Sequence, residues 1–161
     1  MKNISSSHPA DRLIFALDAG GYEEAVSWID RLAGSVGLFK VGKELFTAVG
    51  PKIIEHIKGR NSRVFLDLKF HDIPNTVARA GEAAVGLSVD MFNVHAAGGS
   101  RMIRDTVDSA AARAKQRGVA CPVILAVTVL TSLNDSDLAE IGFEKTTGDL
   151  VLHLAKMAHR A

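Results

Sequence analysis

The chain has 161 residues, 47% of them hydrophobic and 23% charged, enough for one domain with a sizeable core and too apolar for a disordered segment. Nineteen basic residues stand against eighteen acidic ones, so a net charge of +1 supplies no field for nucleic acid or an anionic membrane, and a small-molecule ligand fits better. The single cysteine, Cys121, excludes an internal disulfide and a cysteine-based zinc cluster, and no stretch approaches the ~20 apolar residues of a membrane span.

The Ser-rich opening MKNISSSHPADR lacks the apolar segment of a signal peptide, and residues 1–11 read as a loose tail ahead of a single domain over 12–161 in a reducing cytoplasm. From there short apolar runs alternate with segments of helical period, the pattern of successive βα units around a parallel sheet. LIFALD (13–18) predicts the first strand. GYEEAVSWIDRLAG predicts a helix with Ala25, Trp28, Ile29 and Leu32 on one face and a stop at Gly34. LFKVG (38–42) is the second strand, followed by helical stretches through KELFTAVG and after Pro51, where proline suits a first turn. RVFLDLKF (63–70) is the third strand, and the third helix enters through Pro74. DMFNVHA (90–96) is the fourth strand, with a helix capped by Ser100 and ended at Gly118. CPVILAVTVLTS (121–132) is the fifth strand and its exit, with Cys121 expected as a buried thiol. Asp/Asn-rich turn residues then lead to a last helix through DLVLHLAKMAHRA.

The strands are apolar until their carboxyl ends, where Asp18, Lys40, Asp67, Lys69, Asn93, His95, Thr128, Thr131 and Ser132 appear. In parallel α/β folds, open or closed into a (β/α)₈ barrel, ligands bind beyond those ends. Asp67, Lys69 and Asp72 form a D-x-K-x-x-D pattern, and strand period two predicts that Asp67 and Lys69 share a face. Desolvating such a pair costs about as much as its attraction returns, so it calls for a reason. With Lys40 added, opposite charges can alternate in a network that holds a lysine rigidly, ready to stabilise a carbanion and then protonate it. A fixed carboxylate beside it would disfavour an anionic substrate group and promote its loss, which describes a decarboxylation.

Plainer readings stand beside this one. Asp67 and Lys69 could form a structural ion pair, Lys40 a snorkelling side chain, and Asp18 a helix cap. His71 and His95 invite a metal reading, but neither has a second histidine at i+3 or i+4, and a hydrogen-bonded structural role is the alternative. Gly98 and Gly99 could cradle a phosphate or simply make a turn.

FLDLKFHDIPNTV (65–77), supported by ALD (16–18), FKVGKELF (39–46), FNVHAAGG (92–99) and LAVTVLTS (125–132), resembles the bacterial-type orotidine 5'-phosphate decarboxylases, which carry out the last step of UMP synthesis. The resemblance implies a (β/α)₈ barrel of which about the first five βα units are present. It implies a cofactor-free and metal-free lyase that converts orotidine 5'-phosphate to UMP and CO₂. Lys40, Asp67, Lys69 and Asp72 would be its charged tetrad, with Lys69 the proton donor to C6 of the pyrimidine and Asp67 set against the departing carboxylate. Asp18 and Lys40 would hold ribose hydroxyls, and Ile73, Pro74, Asn75, Thr76 and Thr131 would be further substrate contacts. Asp72, Ile73 and Thr76 would reach the second subunit of a homodimer.

Related barrel decarboxylases of sugar phosphates share the D-x-K-x-x-D core but use a metal ion; the Asp-Ile-Pro-Asn-Thr continuation argues against that class. The family's later phosphate-gripping segments have no counterpart before Ala161, so a C-terminally truncated chain is expected, and an inactive folding or association module is the alternative function. Five strands in an open sheet are also expected to leave apolar edges that favour association.

Overall fold

The computed structural model describes residues 9–161, so residues 1–8 of the expected tail lie outside the described residues. Five strands, β1 (Ile14–Ala16), β2 (Leu38–Gly42), β3 (Arg63–Phe70), β4 (Met91–His95) and β5 (Val123–Val127), follow one another in one sheet in sequence order. β1 pairs parallel with β2, and β2 with β3, with Ala16 opposite Lys40 and Gly42 opposite Asp67. A doubly wound sheet reverses its strand order at a switch point; this one does not, and its sequential order is that of a (β/α)₈ barrel. Among the described residues no helix is long and apolar enough to cross a membrane.

The chain forms two compact units. The first runs to Leu68 and takes in Gly86–Phe92. Its helices are α1 (Tyr22–Leu32), α2 (Lys43–Val49) and α3 (Lys52–Gly59). Ala25 and Ile29 of α1 are buried, as are Ile53, Ile54 and Ile57 of α3, as spacing on one helical face requires. Trp28, expected on the buried face of α1, is instead partly exposed, with the Arg31 guanidinium 5.0 Å over its ring; the pair covers the indole's apolar surface while leaving the cation in water.

The start of this unit corrects the expected tail at residues 9–11, because Pro9–Arg12 is a 3-10 turn. Arg63 donates to the carbonyls of Gly37 (3.0 Å) and Asp11 (3.4 Å). Gly37 is required by close approach: a Cβ there would lie 2.5 Å from the Asp11 carbonyl oxygen. Farther along, the Asp90 carboxylate accepts from the Val64 N–H at 2.8 Å and pairs with Lys58 at 3.0 Å.

The second unit comprises Lys69–Val85 and Asn93–Ala161. Its helices are α4 (Pro74–Gly86, whose last residue belongs to the first unit), α5 (Gly99–Arg117), α6 (Asp135–Glu140) and α7 (Thr147–Arg160). α5 buries Met102, Thr106, Ala110 and Ala114 at four-residue spacing and stops at Gly118, whose φ of 64° is the left-handed turn expected there. The expected cap at Ser100 is not formed. A 3-10 turn over Ala96–Gly98 comes first, the helix begins at Gly99 with φ 86°, and no side chain caps it.

The Asp/Asn-rich segment, expected as turn, contains α6. Asn134 accepts from the N–H groups of Ser136 and Asp137, while Asp137 accepts from the Asn134 N–H, a reciprocal cap that lets six residues hold a helix. Ala96, Leu138, Leu150 and Leu154 form a core with Ala126, Val129, Leu133 and Met157 around them. Cys121 is exposed, against the expectation of a buried thiol, because β5 starts two residues later at Val123 and leaves the cysteine on the approach. Val123 and Leu125 on β5, and Ile14 on β1, are exposed apolar residues.

Candidate active site

In the first unit the strand register assembles three charges. Lys40 on β2 lies opposite Phe65 of β3, so Asp67, two residues on, shares its face one pleat further along. On the other side Lys40 pairs with Ala16, two residues before Asp18. The ammonium reaches forward between both carboxylates, 3.6 Å from Asp67 Oδ2 and 3.5 Å from Asp18 Oδ1. Gly42 lies opposite Asp67, and a Cβ there would make only ordinary van der Waals contact with the Lys40 Nζ, at 3.6 Å. Asp67 is 13% exposed and Asp18 75%, so Lys40 joins a half-sheltered anion to a solvated one.

The Lys40 head lies between two carboxylates, one of them solvated. Asp18 does not cap α1, whose N-cap is Gly21 with no side-chain bond.

In the second unit Lys69 departs from strand geometry. Its φ is 52°, in the left-handed region, although it lies inside β3. Cβ turns with φ about the N–Cα bond, so the direction of this lysine depends on its own backbone as well as on the two-residue pleat. Its N–H donates to Asn93 Oδ1 at 2.7 Å, and Asn93 is a buried polar residue of β4. Asp72 follows on the loop to α4, where its carboxylate accepts from the Ile73 N–H at 2.6 Å. The Ile73 carbonyl accepts from Thr76 and Val77, opening the helix that Pro74 leads.

Asp72, Ile73, Asn75 and Thr76 are all exposed on this segment. A groove of about 550 Å³ runs beside it, lined by Ile73, Pro74, Asn75, Ala78, Arg101 and Asp105 among others. Thr131 is exposed in the turn that closes with the Leu133 N–H on the Leu130 carbonyl, just past β5. The rings of His71 and His95 lie 5.4 Å apart, and among the described residues no group of three or more His, Cys, Asp or Glu is placed to hold a metal ion. Gly99 supplies the turn expected of the glycine pair, at φ 86°. Asn93 was visible in the sequence as a polar residue near a strand end, but its partnership with a lysine amide 24 residues away needed the structure.

Residues 11–161 match the family model described as "Orotidine 5'-phosphate decarboxylase / HUMPS family". The chain is 58% identical over 161 residues to an orotidine 5'-phosphate decarboxylase of Syntrophus aciditrophicus, covering 99% of this chain and 64% of that protein. It superposes with a TM-score of 0.85, at 38% identity, on the crystal structure of orotidine 5'-phosphate decarboxylase from Lactobacillus acidophilus, covering 92% of this chain and 66% of that one. The corresponding enzyme of Methanocaldococcus jannaschii, complexed with the inhibitor BMP, matches at a TM-score of 0.69 and 25% identity over 92% of this chain and 62% of that one. The chain thus spans less than two thirds of the length of these relatives.

Proposed function

The chain belongs to the orotidine 5'-phosphate decarboxylase / HUMPS family, and from that premise we propose that the protein converts orotidine 5'-phosphate to UMP and CO₂. The family description spans two chemistries; the 58% identity to a protein named for the nucleotide substrate favours this one. The observation that carries the reading is the Lys40 ammonium held between Asp18 and Asp67, a charge array with no role in packing an apolar core.

In the proposed reaction the bond between C6 and the carboxylate breaks, CO₂ leaves, and the electron pair stays on C6. The Lys69 ammonium stabilises that pair and transfers a proton to C6, and the lysine recovers its proton from solvent. Asp67, close to the carboxylate, raises the energy of the ground state more than that of the transition state, in which the charge has moved to C6. Asp18 and Lys40 bind ribose hydroxyls. Ile73, Pro74, Asn75, Thr76 and Thr131 make the remaining substrate contacts. Asp72, Ile73 and Thr76 complete the site of a second subunit; the exposure of all three, beside an open groove, supports an interface with another copy of the chain. The protein acts in the cytoplasm and uses neither a cofactor nor a metal.

The test is the loss of pyrimidine absorbance when the chain is incubated with orotidine 5'-phosphate, with and without a chelator. Equal loss in both supports the proposal. No loss, or loss that the chelator abolishes, contradicts it.

A further inference from the structure

Three described residues other than glycine have positive φ: Asn61, Lys69 and Ser88. Asn61 and Ser88 lie in the connections that follow α3 and α4, where a left-handed residue commonly ends a helix. Lys69 alone of the three lies inside a strand. Lysine has no intrinsic preference for that region, so the surrounding structure must hold the conformation.

One group is placed to anchor the backbone on which it turns. The Lys69 N–H lies in the peptide plane that leads into the residue, and a sheltered N–H needs an acceptor. Asn93 Oδ1 supplies it at 2.7 Å. The buried polar side chains of the described residues are Ser62, Asn93 and Thr106. Ser62 and Thr106 bond to carbonyls two and four residues away, within their own stretch of chain, whereas Asn93 reaches across to Lys69.

We infer that Asn93 is a positioning residue: its side-chain carbonyl fixes the peptide plane from which the left-handed Lys69 departs, and so helps set the direction in which the lysine leaves the chain. The inference rests on the reading of Lys69 as the proton donor. Its consequence is that the aim of the ammonium depends on a residue of the next strand.

The test compares the unmodified chain with Asn93→Leu, which removes the acceptor at similar volume, and Asn93→Asp, which keeps an oxygen in its place. Two quantities are read: the hydrogen exchange of the Lys69 amide by ¹⁵N NMR, and kcat and KM for orotidine 5'-phosphate. In Asn93→Leu the amide should lose protection. Its kcat should fall about 10²-fold, the size of effect a small misplacement of a reacting group produces, while KM changes little. Asn93→Asp should keep the protected amide and recover most of kcat. A protected Lys69 amide in Asn93→Leu would overturn the inference, as would a loss of kcat that Asn93→Asp does not restore. If Asn93→Leu does not fold, Asn93→Ser, with a hydroxyl too short to reach, takes its place under the same criteria. If the unmodified chain shows no turnover, the proposed function fails and the NMR reading alone decides for or against Asn93.

Discussion

The charged residues of the first unit and those of the second are held by different physics. Lys40 and Asp67 are placed by a regular parallel ladder, in which fixed register and the two-residue pleat put them on one face, and Asp18 follows two residues past the end of β1. Lys69 and Asp72 are placed by exceptions to regularity, a left-handed strand residue bonded to a buried amide and a carboxylate folded onto the next N–H. The first arrangement can be read from spacing; the second depends on partners remote in sequence. Rigid register suits a group that must bind in every state, and individually held turns suit a group that must be aimed.

Lys40→Ala should break the first arrangement most severely. It removes the shared partner of Asp18 and Asp67 and leaves a carboxylate only 13% exposed beside a repelling one. Turnover of orotidine 5'-phosphate should drop by about 10²–10³-fold, the scale for losing one preorganised charge. Substrate affinity, measured by calorimetry, should weaken as well, because the same ammonium is proposed to bind ribose. Unchanged affinity would show that the register places Lys40 without giving it a ligand.

Gly37→Ala sharpens the comparison by acting on the ladder without touching its charges. The new Cβ would collide with the Asp11 backbone, which no flexible side chain can relieve. Stability to urea should fall by about 1–3 kcal/mol, as for other overpacked sites. Any surviving folded protein should keep its Lys69 amide protection, since the strain lies in the first unit.

The smallest effect is on pH dependence, and each unit has its own reporter. The hydrogen bond with His56, assisted by Arg60, lowers the Asp30 pKa from the ordinary carboxylate value. Bonds from the Thr147 hydroxyl and N–H do the same for Asp135. A carboxylate depressed in the folded state stabilises it above the unfolded pKa, near 4, and that contribution is lost as pH falls through the lower folded value. Asp30→Asn and Asp135→Asn should therefore each flatten the loss of stability below about pH 4, with the larger change in the unit carrying the substitution. Both carboxylates sit near the surface, so raised salt should shrink the Asp30 effect in particular.

Much of this architecture was legible from periodicity. β2 and β3 begin and end where the apolar runs do, and Gly118 ends α5 as its position after the last helical residue implies. The five-unit rhythm matches the sequential sheet, and the charged residues singled out at strand ends include the Asp18, Lys40 and Asp67 array. What was missed has local causes. α6 was hidden in a segment whose Asp and Asn residues signal turns, although the Asn134 to Asp137 spacing is itself a capping signature. Serine favours the cap position, but before Ser100 a 3-10 turn moves the helix start to Gly99. The left-handed Lys69 could not be anticipated, since lysine has no preference for that region and the acceptor of its N–H comes from another strand.

The most direct test of the account is Lys69→Ala, assayed for turnover of orotidine 5'-phosphate beside the unmodified chain, with substrate binding measured in both. The account predicts that binding survives within about tenfold while kcat falls by at least about 10³-fold, as expected when a proton donor to carbon is removed. Turnover by Lys69→Ala equal to that of the unmodified chain would contradict it.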